Sequence, residues 1–338
     1  MTMITGFCRA LMVTALALLG LLSVQAPSAH ALDTTVLPTD ANIRYTGRWD
    51  TTVPTAYVPA WSGAYLTTDF TGTTVKLVQR GPVNFYASVD GGEFVFYGSA
   101  TGIVDLTPAP LAPGTHTLRV SYRSADVVFQ GLVLDDGAAT VASQAPTKLV
   151  EFVGDSITAG ALTDRLALDS YGWRLGEQLG TAHTRIARSG YCLVAYTGCT
   201  GQSTQYFKQD SLSTIDWDFS RYTADAVVIN LGTNDFGHGV PSATFQDAYT
   251  AFIADIRARF PGAAIFAMDT LKHRYTAETQ AAVAAANAAG DEHVHFVDTT
   301  GWLVDGADYE DGNGHPNESG NQKIADRLAP IVAPAIGL

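Results

Sequence analysis

The sequence predicts two structural classes in series: an all-β sandwich of jelly-roll type, then an α/β domain built on a parallel sheet. Three observations carry that prediction. Between Asn42 and about Asp136, short alternating segments are separated by turns, with no helical periodicity. After Lys148, apolar runs of strand length alternate with amphipathic helical stretches. Between the two textures, GAATVASQAPT (Gly137–Thr147) is small, polar and proline-containing, as suits a linker. The expected division is a leader (1–31), a β-sandwich (32–137), a linker (138–147) and an α/β domain (148–338).

The leader comes first. Arg9 is the only charged residue before Asp33, and the apolar run from Ala10 to Val24 is shorter than the ~20 residues of a membrane span. Ala29-His30-Ala31 supplies the small-x-small pattern of a cleavage site. This reads as a secretory signal cleaved near Ala31, so an extracellular protein without stable membrane association is expected; an uncleaved anchor is the alternative. Cysteine usage fits export. Cys8 leaves with the leader, and Cys192 and Cys199 remain as an even pair in an oxidising compartment. We expect a disulfide between them, with two free buried thiols as the other reading. A zinc site is not expected from this pair.

Within the sandwich region, TVKLVQ (Thr74–Gln79), NFYASV (Asn84–Val89) and TLRVSY (Thr117–Tyr122) alternate as half-buried strands. Asp90-Gly91-Gly92 is a strong hairpin turn leading into EFVFY. Trp49, Tyr57, Trp61 and Tyr65 suit either a core or stacking on sugar rings. In the second region, the expected strands are Leu149–Val153, Arg185–Ala187, Ala226–Leu231, Ala263–Met268 and Val294–Val297. The clearest helix is Ser242–Phe260, where Phe245, Ala248, Tyr249, Phe252, Ile253 and Ile256 form one continuous face. A second, Thr276–Ala289, ends at Gly290, and the last follows Pro316 with Ile324, Leu328 and Ile331 on one side.

Charge limits the partners. With 33 acidic against 20 basic residues and a net charge of −13, the chain is ill suited to nucleic acid or to anionic membrane surfaces.

Ligands of a parallel α/β sheet gather at the carboxyl ends of its strands. Here those ends carry Gly154-Asp155-Ser156-Ile157-Thr158, Ser189-Gly190, Gly232-Thr233-Asn234-Asp235 and, through a longer loop, Asp311-Gly312-Asn313-Gly314-His315-Pro316. A serine hydroxyl needs a base to become a nucleophile, and His315 can take that proton and later return it to a leaving alcohol. An acyl carbonyl under attack needs fixed donors for its oxyanion. The Ser156 and Gly190 backbone N–H groups and the Asn234 side chain are such donors.

In that order, GDSIT, SG, GTND and HP resemble the four blocks of the SGNH hydrolases, also called GDSL-type esterases. The resemblance implies a three-layer, flavodoxin-like domain with Ser156 as nucleophile, Gly190 and Asn234 in the oxyanion hole and His315 as base. IRYTGRWD (Ile43–Asp50), FTGTTVKL (Phe70–Leu77), SVDGGEF and FQGLVLDDGA (Phe129–Ala138) resemble the jelly-roll module of carbohydrate esterase family two. Together they imply a secreted serine esterase that removes acyl groups, chiefly acetyl, from carbohydrates without a cofactor or metal. A lipid or aryl esterase of the same superfamily is one alternative, and a carbohydrate-binding protein with an inactive hydrolase domain is another.

One position departs from the pattern. SGNH enzymes usually carry an Asp three residues before the His, where this chain has Gly312. Asp311 lies four residues before His315, with Asp308 and Glu310 as further candidates; the other arrangement is a Ser–His dyad oriented by a backbone carbonyl. Three neighbouring signals are set aside. His293 and His295 share a strand face but find no third ligand at a recognisable spacing. DGADYEDGNGHPNE (305–318) fails the EF-hand register. Asn317-Glu318-Ser319 fits a glycosylation sequon, read as coincidental beside His315.

Overall fold

The computed structural model describes Thr2 and residues 33–122, 128–312 and 314–338, so the expected leader lies, apart from Thr2, outside the described residues.

The β domain is antiparallel. Its strands are β1 (Thr34–Val36), β2 (Arg44–Thr46), β3 (Trp49–Val53), β4 (Ala56–Pro59), β5 (Tyr65–Gly72), β6 (Val75–Val89), β7 (Val95–Asp105), β8 (Gly114–Tyr122), β9 (Val128–Leu134) and β10 (Thr140–Val141). The two strands expected at 74–79 and 84–89 are one, β6. It pairs with β9 along Val75–Arg80 and with β8 along Phe85–Val89. The change of partner falls at Arg80-Gly81-Pro82. Gly81 sits at φ +80°, and the register against β7 shifts nearby.

Period-two alternation explains what each half of β6 buries. Val75, Leu77, Phe85 and Ala87 face a core that includes Trp49, Leu66, Phe70, Leu118 and Phe129. Tyr86 points the other way and packs with Tyr65 against Ala167, Leu168 and Trp173 of the second domain. Trp49, Trp61 and Tyr65 are therefore buried, and Tyr57 stacks edge-on against Tyr45 at 5.1 Å. The segment expected as a linker runs along the sandwich. Its β10 pairs with Asp69 and Phe70, and the Arg44 guanidinium donates to Ser143 Oγ at 3.0 Å.

In the second domain five parallel strands follow: β11 (Leu149–Gly154), β12 (Ala182–Ala187), β13 (Ala226–Asn230), β14 (Ala264–Met268) and β15 (Val294–Val297). Their spatial order is β12-β11-β13-β14-β15. The helices are α1 (Ser156–Ala159), α2 (Tyr171–Leu179), α3 (Gln202–Gln205), α4 (Thr233–Gly237), α5 (Ser242–Arg259), α6 (Thr276–Ala288) and α7 (Glu318–Ala335). Helices α5 and α6 cover one face of the sheet, and α2 and α7 cover the other. On α7 the buried stripe is Ile324, Leu328 and Val332; Ile331, expected on that side, is exposed. Asn317 caps α7 by accepting the Gly320 N–H at 2.9 Å, and its own amide donates to Ala307 O at 2.8 Å.

The chain crosses from β11 to β12 on one side, then returns past β11 to β13 on the other. That reversal opens a crevice between the carboxyl ends of β11 and β13. Ser156 and Asn234 follow those two strands.

Charged groups pin the domains together. Arg119 of β8 donates to both carboxylate oxygens of Glu177 on α2, at 2.7 Å each. Glu177 also meets the buried His183 of β12 at 2.9 Å. Burial holds the His183 imidazole down to about 4. Against the opposing effect of burial, the bonds from His183 and Arg119 bring Glu177 down to about 2.

Candidate active site

The nucleophile turn follows from Gly154. A Cβ there would lie 2.0 Å from Thr158 Oγ1 and 2.8 Å from Asn230 O, so only glycine lets the chain leave β11 so tightly. Asp155 then caps α1, its carboxylate accepting the Ile157 N–H at 2.9 Å. Ser156 is thereby presented, half-buried, at the first position of α1.

His315 Nε2 lies 2.8 Å from Ser156 Oγ, although 159 positions separate them in sequence. Its other ring nitrogen, Nδ1, lies 2.9 Å from Asp311 Oδ2. Asp311 is thus the carboxylate that reaches the imidazole. Asp308 instead binds Lys323 Nζ at 2.6 and 2.8 Å, a contact that holds its carboxyl below the usual range. Glu310 is exposed and turned to solvent. With the Nδ1 proton donated to Asp311, Nε2 is free to accept from the serine hydroxyl.

Around the nucleophile, the oxyanion candidates converge from two neighbouring strands. Gly190 follows β12, and its N–H has no hydrogen-bond acceptor among the described residues. Asn234 opens α4, with Nδ2 donating to Tyr191 O at 2.9 Å and to Asp155 Oδ2 at 3.2 Å. Donation to a developing oxyanion therefore displaces the longer of these two bonds.

Two buried aspartates that we did not single out in the sequence hold these pieces in place. Asp155 joins the nucleophile turn to Asn234, and burial pushes its carboxyl up to about 7. Asp235 accepts the Leu193 and Val194 N–H groups at 2.8 and 3.0 Å, and burial raises its carboxyl as well. The signal was present, since an Asp at a strand-to-helix junction is a capping residue by type.

The loop after Gly190 is closed by the Cys192–Cys199 disulfide. Cys199 Sγ sits 3.2 Å from Gly190 O, which puts the bridge against the residue that offers the free N–H. His238 comes within reach of both sulfurs, but as a disulfide they offer no thiolates to a metal.

Known proteins share this arrangement. Residues 152–323 match the GDSL-like Lipase/Acylhydrolase family, so the chain belongs to the GDSL-type, or SGNH, hydrolases. Residues 45–144 match the carbohydrate esterase 2 N-terminal domain, which places the chain among the family-two carbohydrate esterases.

Among curated relatives, a cellulase/esterase from Acetivibrio thermocellus is 30% identical over 328 residues, covering 87% of this chain and 40% of the relative. An acetylxylan esterase / glucomannan deacetylase from Cellvibrio japonicus is 27% identical over 174 residues, 45% of this chain and 49% of its own length. The chain thus spans less than half the length of either protein. Among solved structures, a family two carbohydrate esterase from Clostridium thermocellum in complex with cellohexaose gives a TM-score of 0.75 at 29% identity, covering 87% of this chain and 99% of that one. A family two carbohydrate esterase from Cellvibrio japonicus shares the fold, with a TM-score of 0.78 at 20% identity over 90% of this chain and 98% of that one.

Proposed function

We propose that the protein is a secreted serine esterase that hydrolyses short-chain acyl esters of carbohydrates, chiefly acetyl esters. One observation carries the chemistry: the continuous hydrogen-bonded line from Ser156 Oγ through His315 to Asp311, opening on a free Gly190 N–H. His315 Nε2 takes the Ser156 proton as Oγ attacks the acyl carbonyl. The oxyanion is met by the backbone N–H groups of Ser156 and Gly190 and by Asn234 Nδ2. As the tetrahedral centre collapses, His315 returns the proton to the departing sugar oxygen, leaving an acyl-Ser156. Water, deprotonated by the same imidazole, then releases the carboxylic acid and restores the serine. Asp311 holds the imidazole in the tautomer both half-reactions require.

The carbohydrate and acetyl parts of the reading are supported by the company the chain keeps. One relative carries acetylxylan esterase and glucomannan deacetylase activity in its name, and a similar structure holds cellohexaose. Export is supported by the leader pattern at 1–31 and by a disulfide of the kind that persists in oxidising compartments.

The test is a set of initial rates on p-nitrophenyl acetate and its longer-chain homologues, with acetate release from acetylated xylan and glucomannan. Preference for acetate and release from a glycan support the reading. Preference for long chains favours a lipid esterase, and glycan binding without hydrolysis favours a binding protein.

A further inference from the structure

A cleft of about 410 Å³ lies beside the nucleophile turn, walled by both domains. The sandwich contributes Trp61 and Ser62, and the α/β domain contributes Ala159, Ala161, Arg188 and Ser211. The cleft is continuous with the site. Ala159 ends the helix that Ser156 begins, and the Ala161 N–H donates to Ser156 O at 2.9 Å. On the other side, Ser189, also in the lining, directly precedes Gly190.

The outer wall is built rather than incidental. Trp61 Nε1 donates to Gln209 O at 3.1 Å from the sandwich side. From the α/β side, Tyr191 Oη donates to Ser211 O, and the Arg188 guanidinium donates to Ser211 Oγ. The 209–211 segment is thus tied to both domains. Arg188 itself is exposed, with no carboxylate partner among the described residues.

The lining selects a ligand class. Its alanines make a shallow apolar floor, while Ser62, Ser189, Ser211 and the Arg188 cation supply polar edges. A long acyl chain calls for walls of large apolar side chains. A pyranose ring, with apolar C–H faces and a hydroxyl rim, matches small apolar floor and polar edge together. The volume exceeds what an acetyl group fills.

We propose that this interdomain cleft holds sugar units of the acylated glycan, with Arg188 donating to their hydroxyls, so that the β domain supplies one wall of the substrate site. The inference rests on the esterase reading above and adds where the glycan lies.

The experiment compares kcat/KM on an acetylated xylo-oligosaccharide with kcat/KM on p-nitrophenyl acetate, which has no sugar to place. Two variants are used: Arg188→Ala removes the cation, and Ser62→Phe fills the cleft from the sandwich side. Each should lower the oligosaccharide-to-nitrophenyl ratio roughly ten- to hundredfold, as expected for a lost hydrogen bond from a charged donor, mainly through KM. A ratio unmoved in both variants, while the unsubstituted enzyme deacetylates the oligosaccharide, overturns the cleft alone. No turnover of the oligosaccharide by the unsubstituted enzyme overturns the carbohydrate reading and the cleft with it.

Discussion

The Asp311 carboxylate meets His315 twice, through Nδ1 at 2.9 Å and through the backbone N–H at 3.2 Å. This double contact explains how an Asp four residues before the His does what is usually done from three. Glu310 N–H donates to His315 O at 2.9 Å, and Tyr309 bridges Pro316, so the extra residue is taken up in a closed loop tip. Replacing Asp311 with Asn keeps the shape and removes the charge that steadies the imidazolium. Asp311→Asn should lower kcat on p-nitrophenyl acetate by about 10²–10⁴. A loss of less than about threefold would show that the histidine is oriented by another group.

Asn234 is the oxyanion donor that a side-chain substitution can remove. Asn234→Ala should lower kcat by about 10²–10³, with a much smaller change in KM, because the bond it supplies strengthens only as the oxyanion forms. Equal changes in KM and kcat would assign Asn234 to ground-state binding.

The disulfide closes a short loop against Gly190, and on the chain-entropy relation such a closure contributes roughly 2.5 kcal/mol. Reduction with a dithiol, or the Cys192→Ala/Cys199→Ala double substitution, should therefore lower both the melting temperature and kcat. If both stay unchanged, the bridge braces nothing that catalysis uses.

The domain interface should weaken in acid. His183 is held down to about 4 when folded, so below pH 6.5 the unfolded chain binds a proton that the folded chain refuses. Its contribution is complete above pH 6.5 and lost as pH falls toward 4. Glu177, brought down to about 2, adds a loss that begins as pH falls through its ordinary value of 4.5. Both act in the same direction. Melting temperatures from pH 7 to pH 4 should fall, and His183→Gln should flatten the limb above pH 4.5; an unchanged limb would contradict this origin.

The rim was legible in the sequence because strand ends can be read from apolar runs, and the chemistry sits at those ends. Ser156, Gly190, Asn234 and His315 follow four such runs and meet at one crevice. The helix face of Phe245, Tyr249, Phe252, Ile253 and Ile256 is buried in α5 as its spacing predicts. What escaped the sequence depends on long-range packing. Glu177, His183 and Arg119 look like surface residues until the two domains bury them together. The joining of two expected strands into β6 turns on Gly81-Pro82, which reads locally as a break. Asp155 and Asp235 were hidden beside the residues they position, because a carboxylate next to a serine or an asparagine draws no attention until its acceptor role is seen.

The central claim is that Ser156 is the residue acylated. Turnover of p-nitrophenyl acetate by the Ser156→Ala protein, correctly folded by its melting temperature, tests it most directly. The account predicts that kcat falls to the level of the oxyanion donors acting alone, at least about a thousandfold below the unsubstituted enzyme. Activity within tenfold of the unsubstituted enzyme, on the same assay, would contradict it.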